Sequence, residues 1–173
     1  MQSSNNFIYF DNNATTKISA RAQDSLKYIE ELFYANPASN SKFGQLCNSL
    51  LESTREKFKS LNNAFGFNLY FTSGSTEGNN IVIQTFLDTA LKNNRKVLTS
   101  RLEHSSVLNI FRFYEGLGLN VIYLNKENNY NLKNLPDLSD IYFASLMAYN
   151  NETGIATNLQ KFRKVLGKET IIH

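Results

Sequence analysis

The sequence predicts an α/β domain in which helices flank a mostly parallel sheet. Short apolar segments alternate along the chain with longer segments of helical period. Strands that alternate with helices pair in parallel, because each helix returns the chain to the same end of the sheet. The 173 residues, 42% of them hydrophobic, are enough for one domain with its own core, and we expect one domain over residues 1–173.

Two helices are predicted before this alternation begins. Residues 18–34 and 43–61 carry apolar side chains at steps of three and four, the spacing of an amphipathic helix. Residues 1–16 show no such period and are expected to be extended. The single cysteine, Cys47, falls inside the second helix, so we interpret it as a core or surface residue and not as a nucleophile.

A regular alternation of strands and helices follows. The predicted strands are residues 69–72, 96–100, 120–124, 140–148 and 170–172. The predicted helices are residues 77–92, 104–114 and 158–166. In sheets of this kind ligands bind beyond the carboxyl ends of the strands, which directs attention to the residues that follow positions 72, 100 and 148.

The composition argues against several classes of protein. Its 18 basic and 15 acidic residues give a net charge of +3 and form no Lys/Arg block, which argues against nucleic-acid binding. One cysteine permits no internal disulfide, and no metal site is predicted. The polar start lacks the apolar core of a signal peptide, and no apolar run is long enough to span a membrane. We expect a soluble protein of a reducing compartment, the cytoplasm.

The segment after the first predicted strand is suited to an anion. Residues 72–80 are Thr-Ser-Gly-Ser-Thr-Glu-Gly-Asn-Asn and open the predicted helix at 77–92. Small residues allow a ligand to approach the backbone, and the N–H groups at a helix N-terminus favour phosphate. The hydroxyls of Ser75 and Thr76 are placed to add hydrogen bonds. An ordinary N-cap with a tight turn is the alternative.

Two further segments follow predicted strands. His104 is suited to stack on a flat cofactor and to transfer protons, although a helix-capping or surface histidine would give the same pattern. In the segment 150–154, Asn-Asn-Glu-Thr-Gly, an asparagine amide can bond a ligand oxygen, although a plain turn is the alternative. Because all three segments lie at one edge of the predicted sheet, together they favour a cofactor site.

Five sequence blocks resemble those of cysteine desulfurases, NifS/IscS-like enzymes of the class V aminotransferase superfamily. In chain order the blocks are residues 9–16 (YFDNNATT), residues 36–39 with Phe43-Gly44, residues 71–77 with Asn80, Glu103-His104 with Val107, and residues 150–154. They span nearly the whole chain. The resemblance implies that the chain is part of the large domain of a type I pyridoxal-phosphate-dependent transferase fold.

The resemblance also implies the cofactor, pyridoxal 5′-phosphate, and the residues that hold it. Ser75 and Thr76 would bind its phosphate. His104 would stack on its ring and act as acid and base, and Asn151 would bond its ring hydroxyl. The protein would position and tune a cofactor that supplies the electron-sink chemistry.

The resemblance further implies a reaction and a set of partners. The reaction converts L-cysteine to L-alanine and passes the sulfur to an enzyme cysteine as a persulfide, for iron–sulfur clusters or other thio-cofactors. A homodimer with its active site near the subunit interface, and a sulfur-acceptor or scaffold protein, are the implied partners.

The sequence departs from the family pattern in two ways. Ser41 stands where the family usually has a histidine after the Asn-Pro-x-Ser block. The sequence ends at His173, before the family's ring-nitrogen aspartate, cofactor-attaching lysine, nucleophilic cysteine and C-terminal small domain. We therefore expect a truncated chain that is inactive by itself. The alternatives are another class V enzyme, such as a selenocysteine lyase or an aminotransferase, and a non-catalytic binding half.

Overall fold

The computed structural model describes residues 8–125 and 135–173. The chain divides into two compact units, Met1–Phe71 and Thr72–His173. No helix within the described ranges has the length and apolar character needed to cross a membrane.

The first unit contains both helices predicted for the start of the chain. Helix α1 runs over Ala20–Leu32 and α2 over Lys42–Leu61, each preceded by a serine N-cap whose side chain accepts a backbone N–H from the first turn. Helix α1 buries no residue, and α2 buries only Gly44 and Cys47. Cys47 is buried within α2, at 8% exposure, so of the two interpretations, core or surface residue, the structure favours the core.

Gly44 brings the start of α2 against the loop that precedes it. A β-carbon at this position would collide with the backbone carbonyl oxygens of Asn36 and Ser39. The close approach of the two backbones therefore requires glycine, which accounts physically for the Phe43-Gly44 part of the second sequence block.

The predicted strand at 69–72 is wrong, because the structure forms no strand there. Arg55 donates a side-chain hydrogen bond to the Leu69 carbonyl, and its guanidinium lies 5.0 Å from the centre of the Phe71 ring. Tyr70 is 78% exposed. An apolar run forms a strand only where a neighbouring strand pairs with it, and the described residues supply none at this place.

Among the described residues, the second unit contains a four-stranded parallel sheet with helices on both faces. Its strands are β1 (Lys96–Ser100), β2 (Val121–Leu124), β3 (Ile141–Ser145) and β4 (Ile171–Ile172), in the order β2-β1-β3-β4. Its helices are α3 (Ser75–Lys92), α4 (Ser105–Gly116) and α5 (Leu159–Val165). All pairings are parallel, so the predicted fold class is confirmed.

Alternate residues of the strands enter two cores. Val97 and Phe143 lie in one core with buried residues of α3 and α4, whereas Leu98 and Ala144 lie in the other with Phe162 of α5. This burial on both faces is what a parallel sheet between helical layers requires. Because Thr99 of β1 is in register with Ser145 of β3, the two strands end side by side.

Candidate functional site

The segments that follow β1 and β3 form a cavity at the carboxyl edge of the sheet. Its volume is about 220 Å³, and residues 101–105 and 150–153 line it. His104 and Asn151, predicted from separate parts of the sequence, are both among the lining residues. The parallel register of β1 and β3 brings them together, because it places the two segments next to each other.

His104 caps helix α4. Its backbone is extended, with φ −60° and ψ 151°, and its Nδ1 accepts a hydrogen bond of 3.1 Å from the Ser106 N–H. The capping role weighed as an alternative for this residue is therefore present in the structure. It does not exclude a ligand-binding role, because the side chain is exposed and lines the cavity.

The two asparagines of the 150–154 turn have different environments. Asn150 is buried, and its Oδ1 accepts hydrogen bonds from Glu152 N–H (3.1 Å), Thr153 N–H (2.8 Å) and Thr153 Oγ1 (2.9 Å). Gly154 closes the turn at φ +70°, a conformation that favours glycine. Asn150 thus builds the turn, whereas the exposed Asn151 is the asparagine available to a ligand.

Glu103 has a structural role at this site that the sequence did not predict, since it was named only as part of the Glu103-His104 block. Glu103 is buried, at 8% exposure, and its Oε1 accepts a hydrogen bond of 2.5 Å from the Met147 N–H. Burial raises the pKa of the Glu103 carboxyl to about 7. No local pattern of the sequence indicates this burial, because the hydrogen-bond partner of Glu103 lies 44 residues away.

Glu103 and Asn150 together join the two segments that line the cavity. Glu103 takes a backbone N–H of the segment after β3, and Asn150 Nδ2 donates 2.7 Å to the Leu102 carbonyl of the segment after β1. We call this pair of hydrogen bonds the cross-loop clamp. It also explains why β3 ends at Ser145 and not at the predicted 148, because the Met147 N–H bonds a side chain.

The predicted anion-binding segment forms the start of α3. The helix begins at Ser75, two residues before the predicted start, and its N-cap, Gly74, contributes no side-chain hydrogen bond. Its first-turn N–H groups precede the first intrahelical bond, from Gly78 N–H to the Gly74 carbonyl at 3.1 Å. Ser75 and Thr76 are exposed at this end of the helix.

Glu77 closes the same segment on itself. Its Oε2 accepts a hydrogen bond of 2.6 Å from the Ser73 N–H, and hydrogen bonding from Ser73 lowers the pKa of the Glu77 carboxyl. A carboxylate in the first turn also interacts favourably with the helix dipole. One N–H at this end is therefore occupied, and those of Ser75 and Thr76 remain directed out of the helix start.

The structure does not place Ser75 or Thr76 in the His104 cavity. Thr76 instead lines a second cavity of about 330 Å³ with residues of α4, among them Ser106. Ser106 lies two residues after His104, so residues from the start of α4 contribute to both cavities.

The model of the aminotransferase class-V family matches residues 8–173. The chain belongs to the aminotransferase class-V family. Enzymes of this family generally use pyridoxal phosphate.

Curated relatives of this class-V chain carry cysteine desulfurase names. The chain is 34% identical over 170 residues to a "NifS/IcsS protein homolog" of Lactobacillus delbrueckii subsp. bulgaricus, covering 96% of this chain and 44% of the relative. It is 33% identical to "Cysteine desulfurase IscS" of Buchnera aphidicola, covering 92% and 41%. The chain thus spans less than half the length of these relatives.

Solved structures agree with the fold of this class-V chain. A "NIFS-LIKE PROTEIN" superimposes with a TM-score of 0.83 at 30% identity, covering 96% of this chain and 48% of that one. DndA from Streptomyces lividans superimposes with a TM-score of 0.72 at 28% identity, with the same two coverages.

Proposed function

We propose that the Thr72–His173 unit binds pyridoxal 5′-phosphate and forms part of the large domain of a cysteine desulfurase. The observation that carries the proposal is the meeting of His104 and Asn151 in one cavity at the joined ends of β1 and β3. The desulfurase names of the relatives support the choice within the class-V family.

The start of α3 fits the phosphate of this cofactor. Its first-turn N–H groups have no acceptor within the helix, and the hydroxyls of Ser75 and Thr76 are exposed beside them. Phosphate oxygens accept such hydrogen bonds, and the helix dipole favours their charge. Ser75 and Thr76 are therefore the proposed phosphate-binding residues.

The cavity beyond β1 and β3 fits the ring of the cofactor. The flat imidazole of His104 supplies a surface for stacking and a nitrogen that holds or gives up a proton. The Asn151 amide supplies a hydrogen-bond donor for the ring hydroxyl. When bound, pyridoxal phosphate supplies an electron sink for the carbon chemistry of the amino-acid substrate.

The substrate and partners of the whole protein follow from the same proposal. L-cysteine is the proposed substrate, a sulfur-acceptor or scaffold protein the proposed recipient, and a homodimer the proposed assembly. The 173-residue chain by itself is not expected to release sulfur from L-cysteine. Its one cysteine, Cys47, is 8% exposed within α2 and so is poorly placed to attack a substrate. A single free cysteine also suits a reducing compartment such as the cytoplasm.

Binding of pyridoxamine 5′-phosphate tests the cofactor site. This form has no aldehyde and cannot react with lysines, so its affinity reports the non-covalent site alone. We expect Thr76→Ala to weaken binding about tenfold, the value of one hydrogen bond to a charged group. Thr89→Ala removes a hydroxyl from a later turn of the same helix and should leave binding unchanged.

Two results would contradict the proposal. One is equal affinity for pyridoxamine with and without its phosphate, measured by equilibrium dialysis. The other is equal binding by the Thr76→Ala and Thr89→Ala chains. The same preparation, assayed with L-cysteine, should release no sulfide.

A further inference from the structure

The ring of His104 is held at one nitrogen by two groups of a single residue. The Ser106 N–H donates to Nδ1 over 3.1 Å, and Ser106 Oγ lies 2.8 Å from the same nitrogen. A backbone N–H can only donate, so Nδ1 must be an acceptor and carries no proton in this arrangement. In the neutral ring the proton is then on Nε2.

A third residue determines which way the Ser106 hydroxyl points. Asn79 Nδ2 donates to Ser106 Oγ over 2.9 Å, and Ser106 is buried at 9% exposure. Because the hydroxyl oxygen accepts from Asn79, its own hydrogen is free to donate to His104 Nδ1. Asn79, Ser106 and His104 thus form a directed chain of hydrogen bonds.

The geometry points to Ser106 and Asn79 as positioning residues that fix the neutral His104 ring in the Nε2–H tautomer. The chain of hydrogen bonds joins two helices, since Asn79 lies on α3 and Ser106 on α4. It leaves Nε2 as the ring nitrogen available to a ligand in the cavity that His104 lines.

The use of this arrangement rests on the proposed function. Asn79 belongs to the helix whose first turn carries Ser75 and Thr76, and it contacts the residue that orients the imidazole. The phosphate-binding and ring-stacking parts of the proposed site are therefore coupled through Asn79. The tautomer itself is a property of this chain without any cofactor.

Nitrogen NMR of the histidine rings tests the assignment directly. The chain has two histidines, so a His173→Gln background leaves the His104 ring alone in the spectrum. In the ¹⁵N-labelled 173-residue chain at alkaline pH, we expect a protonated Nε2 and a hydrogen-bonded, unprotonated Nδ1. A protonated Nδ1 in this spectrum would overturn the inference.

Substitutions separate the hydrogen-bond chain from the ordinary preference of a free histidine. Ser106→Ala removes the hydroxyl donor and should lower the Nε2–H to Nδ1–H ratio about fivefold, the equivalent of one net hydrogen bond. Asn79→Asp replaces the amide donor by an acceptor, which should turn the Ser106 hydroxyl hydrogen away from His104 Nδ1. The Nε2–H to Nδ1–H ratio should therefore fall in this variant as well. Ser106→Thr keeps the hydroxyl and should restore the wild-type spectrum.

Ser105→Ala is the matched control, because it removes a neighbouring hydroxyl that lies outside the hydrogen-bond chain. Should the Ser106→Ala chain fail to fold, Asn79→Asp provides the same reading from a partly exposed position. Spectra of Ser106→Ala or Asn79→Asp that match the control would overturn the inference. Loss of cofactor binding with an intact Nε2–H signature would instead contradict only the proposed function.

Discussion

At the scale of single residues, Glu103 shows how the fold sets the chemistry of a side chain. Its carboxyl is buried, and burial raises its pKa from an ordinary 4.5 to about 7. The folded chain therefore holds this proton more tightly than the unfolded chain. The stabilising contribution of the protonated form is complete below pH 4.5 and is lost as the pH rises through about 7.

Glu103→Gln should remove this pH dependence. The glutamine oxygen can still accept from the Met147 N–H, without a buried charge. Relative to wild type, the variant should gain stability between pH 5 and pH 8, by up to roughly 3 kcal/mol if the full pKa shift acts on folding. Urea unfolding at both pH values measures the difference, with the exposed Glu169→Gln as control. An equal change in the free energy of unfolding between pH 5 and pH 8 for wild type and Glu103→Gln would contradict the expectation.

At the scale of elements, the helices were easier to predict from local sequence patterns than the strands, which depend on pairing. The helices were predicted to within a few residues because their period and caps are properties of adjacent sequence. The strand at 69–72 failed because a strand depends on a distant partner that an apolar run does not reveal. The meeting of His104 and Asn151 in one cavity was predictable from their places after strands. The burial of Glu103 depends on a contact 44 residues away, so no local pattern could indicate it.

Substitutions of the two neighbouring asparagines in the 150–154 turn can distinguish an effect on stability from an effect on binding. Asn150→Ala removes four side-chain hydrogen bonds within the turn and to Leu102, and should lower the free energy of unfolding by about 2 kcal/mol. Asn151→Ala should change it by less than about 0.5 kcal/mol, because this side chain is exposed, but should weaken cofactor binding. Thermal melts and pyridoxamine phosphate titrations measure the two effects. An equal loss of stability in both variants would be inconsistent with the distinction drawn between the asparagines.

At the scale of the molecule, the two units differ in how much apolar surface they bury. The second unit has two cores built on its sheet, whereas α1 of the first buries no residue and leaves Leu26 50% and Leu32 49% exposed. Burial of apolar area is the main source of stability, so the units should resist opening to different extents.

Hydrogen exchange followed by mass spectrometry measures this difference. Amides of α1 should exchange faster than those of α4, which packs Val107, Ile110 and Phe111 into a core. Both are helices of similar length, 13 and 12 residues, so α4 serves as an internal standard. Equal protection of the two helices would show that α1 is held as firmly as the core of the second unit.

The cross-loop clamp has a consequence for the order of events during synthesis. Its hydrogen bonds join residues 44 and 48 positions apart, so His104 leaves the ribosome well before the segment that completes its cavity. Contacts of such sequence separation also carry a loop-closure entropy cost that short-range contacts do not. A nascent chain that has reached helix α4 therefore carries the imidazole without its clamp, and the site matures only when β3 joins the sheet beside β1.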